Sequence, residues 1–122
     1  MKPESQYRLP SEPMILTVTP DMAGDWLETR NHPENRKISA HTVERYAKDM
    51  AEGRWMTTPE GLIFDTFGLI ISGQHRMKAV VVSQKSTDFW IFPDQLREIF
   101  GVVDSGLKRQ AAQLLHMPPA SI

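Results

Sequence analysis

The chain has 122 residues, 40% of them apolar and 24% charged, with 14 Lys plus Arg against 15 Asp plus Glu for a formal net charge of −1. That is enough chain for one soluble globular domain, and the near-neutral balance excludes a surface that is basic all round, while leaving room for a local basic site. The absence of cysteine excludes a disulfide framework, a thiolate zinc site and a thiol nucleophile.

Residues 1–13 carry three prolines and few apolar side chains and read as a flexible N-terminal arm. Ordered structure is expected to begin at the β-prone run Met14-Ile15-Leu16-Thr17-Val18. Thr19-Pro20 then reads as an N-cap with proline in the first helical position, and Met22, Trp26 and Leu27 give that helix an inward face. Pro33 ends it, because the residue before a proline is driven out of helical geometry. Ser39 caps the clearest helix of the chain, in which Val43, Tyr46, Ala47 and Met50 recur at 3.6-residue spacing. Gly53 stops it.

Leu62-Ile63-Phe64-Asp65 and Leu69-Ile70-Ile71 are separated by Thr66-Phe67-Gly68, a three-residue connection with glycine last, which signals a hairpin. The second strand runs into Ser72-Gly73, and a helix from Gln74 to Ser83 follows, with Met77, Val80 and Val81 inward and Ala79 and Val82 widening its apolar face. Phe89-Trp90-Ile91-Phe92, apolar throughout, predicts a buried strand. Pro93-Asp94 then reads as the start of a short helix containing Leu96, Ile99 and Phe100. A further strand over Gly101–Gly106 and a last helix from Lys108 to Leu115 complete the expected order, before a tail at 117–122. The class is α/β (α+β): a small mixed sheet, with a β-hairpin leading into the Gln-His-Arg helix, flanked by helices in a single domain over 14–116.

The chemistry concentrates in Ser72-Gly73-Gln74-His75-Arg76. Glycine lets the backbone approach a ligand, the first-turn N–H groups of a helix lack intrahelical partners, and the helix dipole favours negative charge there. Arg76 offers a planar fork suited to phosphate oxygens, or a surface ion pair. His75 is a donor, an acid–base group or a structural histidine. Trp55 and Trp90 are either stacking platforms or core, and Asp65 is a common turn residue at a hairpin end. His32, His41, His75 and His116 show no metal-ligand spacing.

Gly-Gln-His-Arg between a strand and a helix resembles the signature of the ParB/sulfiredoxin-like superfamily, and the chain is most similar to bacterial and phage ParB-like (nuclease-like) domain proteins. Thr19-Pro20, Trp26-Leu27, Asn35-Arg36-Lys37-Ile38-Ser39, Asp49 to Trp55, Ile63-Phe64-Asp65, Asp104-Ser105-Gly106 and Arg109 occur in that family's order. The resemblance implies that Gly73, Gln74, His75 and Arg76 contact nucleotide phosphates with Arg36 brought in from an earlier segment. Asp104, Ser72 and Arg109 then stand behind these residues or contact Mg²⁺, while Asp104 on its own spacing reads as a turn or helix cap. It implies a nucleoside triphosphate with Mg²⁺ as cofactor, a role in DNA handling or regulation, DNA or a DNA-bound protein as partner, a homo-oligomer, no membrane, and the cytoplasm of a bacterium or phage-infected cell.

Two departures matter. Sulfiredoxins carry their catalytic cysteine where this chain has Gln74, which removes that redox chemistry. Ser72 stands where close relatives have Asp, which removes a carboxylate. A phosphotransferase, nucleotide hydrolase or nuclease using the same turn, and an interaction protein that keeps the fold without the ligand, are the rival readings.

Overall fold

The computed structural model describes residues 4–98. It contains β1 (Met14–Val18), α1 (Pro20–Thr29), α2 (Ala40–Ala51), β2 (Leu62–Asp65), β3 (Ile70–Ser72), α3 (Gln74–Ser83) and β4 (Thr87–Gln95). Both helix starts are the ones local chemistry dictates. The Met22 N–H donates to Thr19 Oγ1 with Pro20 at the first helical position, and the Thr42 N–H donates to Ser39 Oγ. Gly53 follows the α2 cap with φ +72°.

The strands form one mixed sheet in the order β1-β4-β2-β3, in which β4 pairs antiparallel with β1 and parallel with β2, and β2 and β3 form the hairpin. Its turn is pinned from within: the Phe67 and Leu69 N–H groups both donate to Asp65 Oδ1 at 2.9 Å, and Gly68 takes φ +80°. Val18, Leu62, Phe64, Phe89 and Ile91 meet Ala23 and Trp26 of α1, Val43, Ala47 and Met50 of α2, and Met77, Ala79 and Val80 of α3 in one core. Trp26, fully buried, packs edge-on to Phe64, and its indole N–H donates to the Tyr7 carbonyl at 2.8 Å. Trp55, half-buried, lies edge-on to both Tyr46 and Phe89 and packs against the core. No helix among the described residues is long and apolar enough to cross a membrane.

Four sequence expectations are corrected. The arm is not loose where it is described: Asp25 accepts from Ser5 Oγ and from the Gln6 and Tyr7 N–H groups, while Tyr7 and Leu9 pack on the core. β4 is not buried throughout but alternates, with Phe89 and Ile91 inward and Trp90 and Phe92 half-buried and stacked on each other. Its apolar run hid the period because both faces carry apolar residues. Pro93 and Asp94 do not start a helix; they extend β4, with Asp94 at φ +58° in an irregular stretch of the pairing with β2. Proline is tolerated there because the pairing with β1 ends at Ile91, so no ladder partner needs its missing N–H. Val82 is 53% exposed and does not join the core. The elements expected beyond 98, and the tail, lie outside the described residues.

Candidate functional site

α2 and α3 run side by side in the same direction. At one end the Ser39 N–H, at the start of α2, donates to His75 Nε2 in the first turn of α3 at 2.9 Å. At the other, Ser83 Oγ donates to Met50 Sδ at 3.9 Å. Parallel helices bring both positive dipole ends to the same place, an arrangement that raises the local potential and favours an anion.

The turn entering α3 has the geometry that only glycine accepts. Gly73 is the N-cap at φ +109°, and a Cβ there would meet Leu62 Cδ2 at 2.6 Å. No side chain caps this helix, so its first N–H groups keep their ligand-binding capacity. Gln74 is buried at 7% exposure, and its Nε2 donates to the Arg36 carbonyl, which ties the 35–38 segment to the turn. Its Oε1 is buried with no partner.

Arg76 projects from the same turn with a side chain only 13% exposed. It donates to Ser72 Oγ at 3.3 Å and to Glu60 Oε2 at 3.2 Å, and Glu60 itself is 80% exposed. Burial pulls the Arg76 pKa down, and the neighbouring Glu60 and Tyr46 offset part of that. A largely desolvated guanidinium whose one carboxylate partner among the described residues is a surface side chain is a poorly neutralised cation, and a phosphate can replace that carboxylate. His75 is held below its usual pKa by burial, then by the positive charges of Arg36 and Arg76. Because Nε2 accepts from Ser39, the proton of the neutral ring sits on Nδ1, which is the donor left for a ligand.

The structure thus brings together Gly73, Gln74, His75, Arg76, Arg36 and Ser72. Asp104 and Arg109 lie outside the described residues. Spacing alone missed Ser39 as the anchor of His75 and Glu60 as the partner of Arg76. Each is a contact across 36 and 16 residues, respectively, that no local signal carries. Asp65 is not part of this site. It is 4% exposed, and Arg97 Nε donates to its Oδ2 at 3.0 Å while Arg97 also reaches Asn35 Oδ1 and the Ile70 carbonyl. Burial alone would raise its pKa, but bonds from the Leu69 N–H, Arg97 and the Phe67 N–H outweigh that and lower it. A cleft of about 140 Å³ beside this pair is lined by Asp65, Phe67, Leu69, Arg97 and Glu98, and in it Asp65 and Arg97 are already paired with each other. Among the described residues no group of three His, Asp or Glu side chains is placed to hold a metal ion.

No family model matches the chain, and neither a curated protein nor a solved structure matches it.

Proposed function

We propose that the chain binds a phosphate-bearing nucleotide at the joined N-termini of α2 and α3, and serves as a ParB-like module in DNA handling or regulation. The observation that carries the anion site is Arg76: a guanidinium 13% exposed, opposite a carboxylate that is 80% exposed, at an uncapped helix start. Arg36, whose charge acts on His75, adds positive potential, and the Nδ1–H of His75 is a donor in the same turn. The ordered family resemblance read from the sequence supports the nucleotide and the DNA-related role. Mg²⁺ would arrive with the polyphosphate, which supplies oxygen ligands of its own. Binding is favoured over catalysis because Ser72 stands where a carboxylate would be needed for proton transfer and Asp65 is committed to Arg97.

A thermal-shift panel of inorganic triphosphate, CTP, ATP, GTP and UTP with Mg²⁺ tests this reading. A ligand binding only the native state at 100 times its dissociation constant adds about 2.7 kcal/mol, which raises the melting point by several degrees for a domain of this size. The rise should vanish in Arg76→Gln and shrink in Arg36→Gln. A panel without any shift refutes the proposal.

A further inference from the structure

Arg76 already holds a carboxylate. Its Nη1 donates to Glu60 Oε2 at 3.2 Å, while its Nη2 donates to Ser72 Oγ at 3.3 Å. The two contacts differ in kind. Ser72 belongs to β3, the strand that leads into the turn, so that half of the fork stays anchored whatever Glu60 does. Glu60 belongs to a loop, 56–60, in which every residue is exposed. The loop is pinned at both ends. Before it, Trp55 packs against Tyr46 and Phe89. After it, Gly61 is buried so close to β4 that an added Cβ would meet the Trp90 carbonyl oxygen at 2.7 Å. Between those ends, Thr57 Oγ1, donating to the Asp88 carbonyl at 3.1 Å, and the Glu60 carboxylate tie the loop to the body.

We infer that Glu60 is a built-in competitor for the anion site, holding the Arg76 fork until a phosphate displaces it and frees the 56–60 loop. The inference rests on the phosphate-binding reading and adds its regulation. A guanidinium only 13% exposed is costly to leave without a counter-charge, so Glu60 stabilises the fold while no anion is bound. Its own carboxylate is 80% exposed and keeps most of its hydration, which makes the pair a weak one. It gives way to an oxyanion that bonds the fork and the uncapped start of α3 together. Occupancy of the site thereby becomes a change in a surface loop.

The test measures inorganic triphosphate binding to the full chain by calorimetry, in the wild type and in Glu60→Gln, Glu60→Asp and Glu44→Gln. Glu60→Gln removes the competing charge, and Glu60→Asp keeps the charge but shortens its reach by one methylene. Both should bind triphosphate about fivefold more tightly than the wild type, a gain of about 1 kcal/mol. Glu44→Gln, which removes a surface acid of α2, should bind as the wild type does. With no triphosphate present, Glu60→Gln should lose about the same fivefold in its folding equilibrium in urea, because the gain in binding is the pair that no longer has to break. On ¹⁵N-labelled wild type, triphosphate should shift the Thr57, Thr58 and Glu60 amides. Equal affinities in Glu60→Gln and the wild type, or a gain shared by Glu44→Gln and absent from Glu60→Asp, overturn the competitor and leave the anion site standing. Loop amides that stay still while triphosphate binds do the same. If triphosphate binds none of the four proteins, the phosphate reading fails and the competitor falls with it.

Discussion

Gly73→Ala probes the turn without touching a ligand-binding side chain. Two penalties meet at this residue. The first is conformational: φ +109° lies where L side chains are strained, at about 1–3 kcal/mol. The second is steric: the new methyl would sit 2.6 Å from Leu62 Cδ2 and 3.3 Å from Leu62 Cα, and Leu62 is fully buried. Overpacking of that kind adds about 1–3 kcal/mol, because the core around Leu62 has no room to yield. Together they predict a loss of about 2–6 kcal/mol. Gly53→Ala is the matched control, with φ +72° and nothing within 4 Å of the added carbon, so only the strain of about 1–2 kcal/mol remains. Both changes reduce the entropy of the unfolded chain alike, and that effect cancels in the comparison. Urea unfolding followed by tryptophan fluorescence reads the difference, with Trp26 fully buried as the reporter. The midpoint should fall much further for Gly73→Ala, at an unchanged slope. Equal losses in the two variants would refute the argument that the Leu62 contact makes glycine obligatory before α3.

Three other outcomes follow from the described contacts. The neutral His75 is favoured in the folded state, so its contribution is fully present above the unfolded pKa of 6.5 and is lost as pH falls from there toward the depressed folded value; urea midpoints measured between pH 8 and 5 should drop only in the lower part of that range, and His75→Asn should flatten the drop. Arg97→Ala leaves Asp65 as a buried carboxylate without its cation and should destabilise by about 3 kcal/mol, the low end for a broken buried pair because the Arg97 side chain is 25% exposed; a smaller loss in Asp65→Asn/Arg97→Ala than in Arg97→Ala alone, by double-mutant cycle, checks the cause. Asp25→Ala removes the acceptor of the 5–7 segment, so limited proteolysis within residues 4–9 should become faster, with a stability loss of about 1–2 kcal/mol.

What the sequence made legible was local chemistry. Thr19 and Ser39 sit one residue before helices whose first N–H groups they satisfy, and the Asp65-to-Leu69 turn carries its glycine at the left-handed position. Pro93-Asp94 was misleading for the same reason: the pair is a good helix start locally, and only the end of the β1 ladder at Ile91 explains why a strand passes through it. The turn at Gly73 to Arg76 was legible as an anion site, but its electrostatics were not. The partners that set the electrostatics come from elsewhere in the chain: Glu60, from the loop before β2, pairs with Arg76, while burial, Arg36 and Arg76 lower the His75 pKa and the Ser39 N–H donates to its ring. Docking of the arm was hidden because a proline-rich, weakly apolar segment is held by Asp25, Trp26 and Arg30, eighteen to twenty-three residues away.

The sheet order has a consequence for how the chain is made. β4 is the last described strand to leave the ribosome, yet it lies between β1 and β2 and is the only described strand joining them. Until residues 87–91 have been synthesised, β1 has no strand partner among the described residues, since its pairing begins with Val18 and Thr87, 69 positions apart. The nascent chain can form the β2–β3 turn and its helices early, but closing the sheet requires a loop of that length, a step that is entropically slow. Until then, the apolar side chains of β1 and β2 wait in a half-built layer, and a nascent-chain chaperone would find its binding surface there.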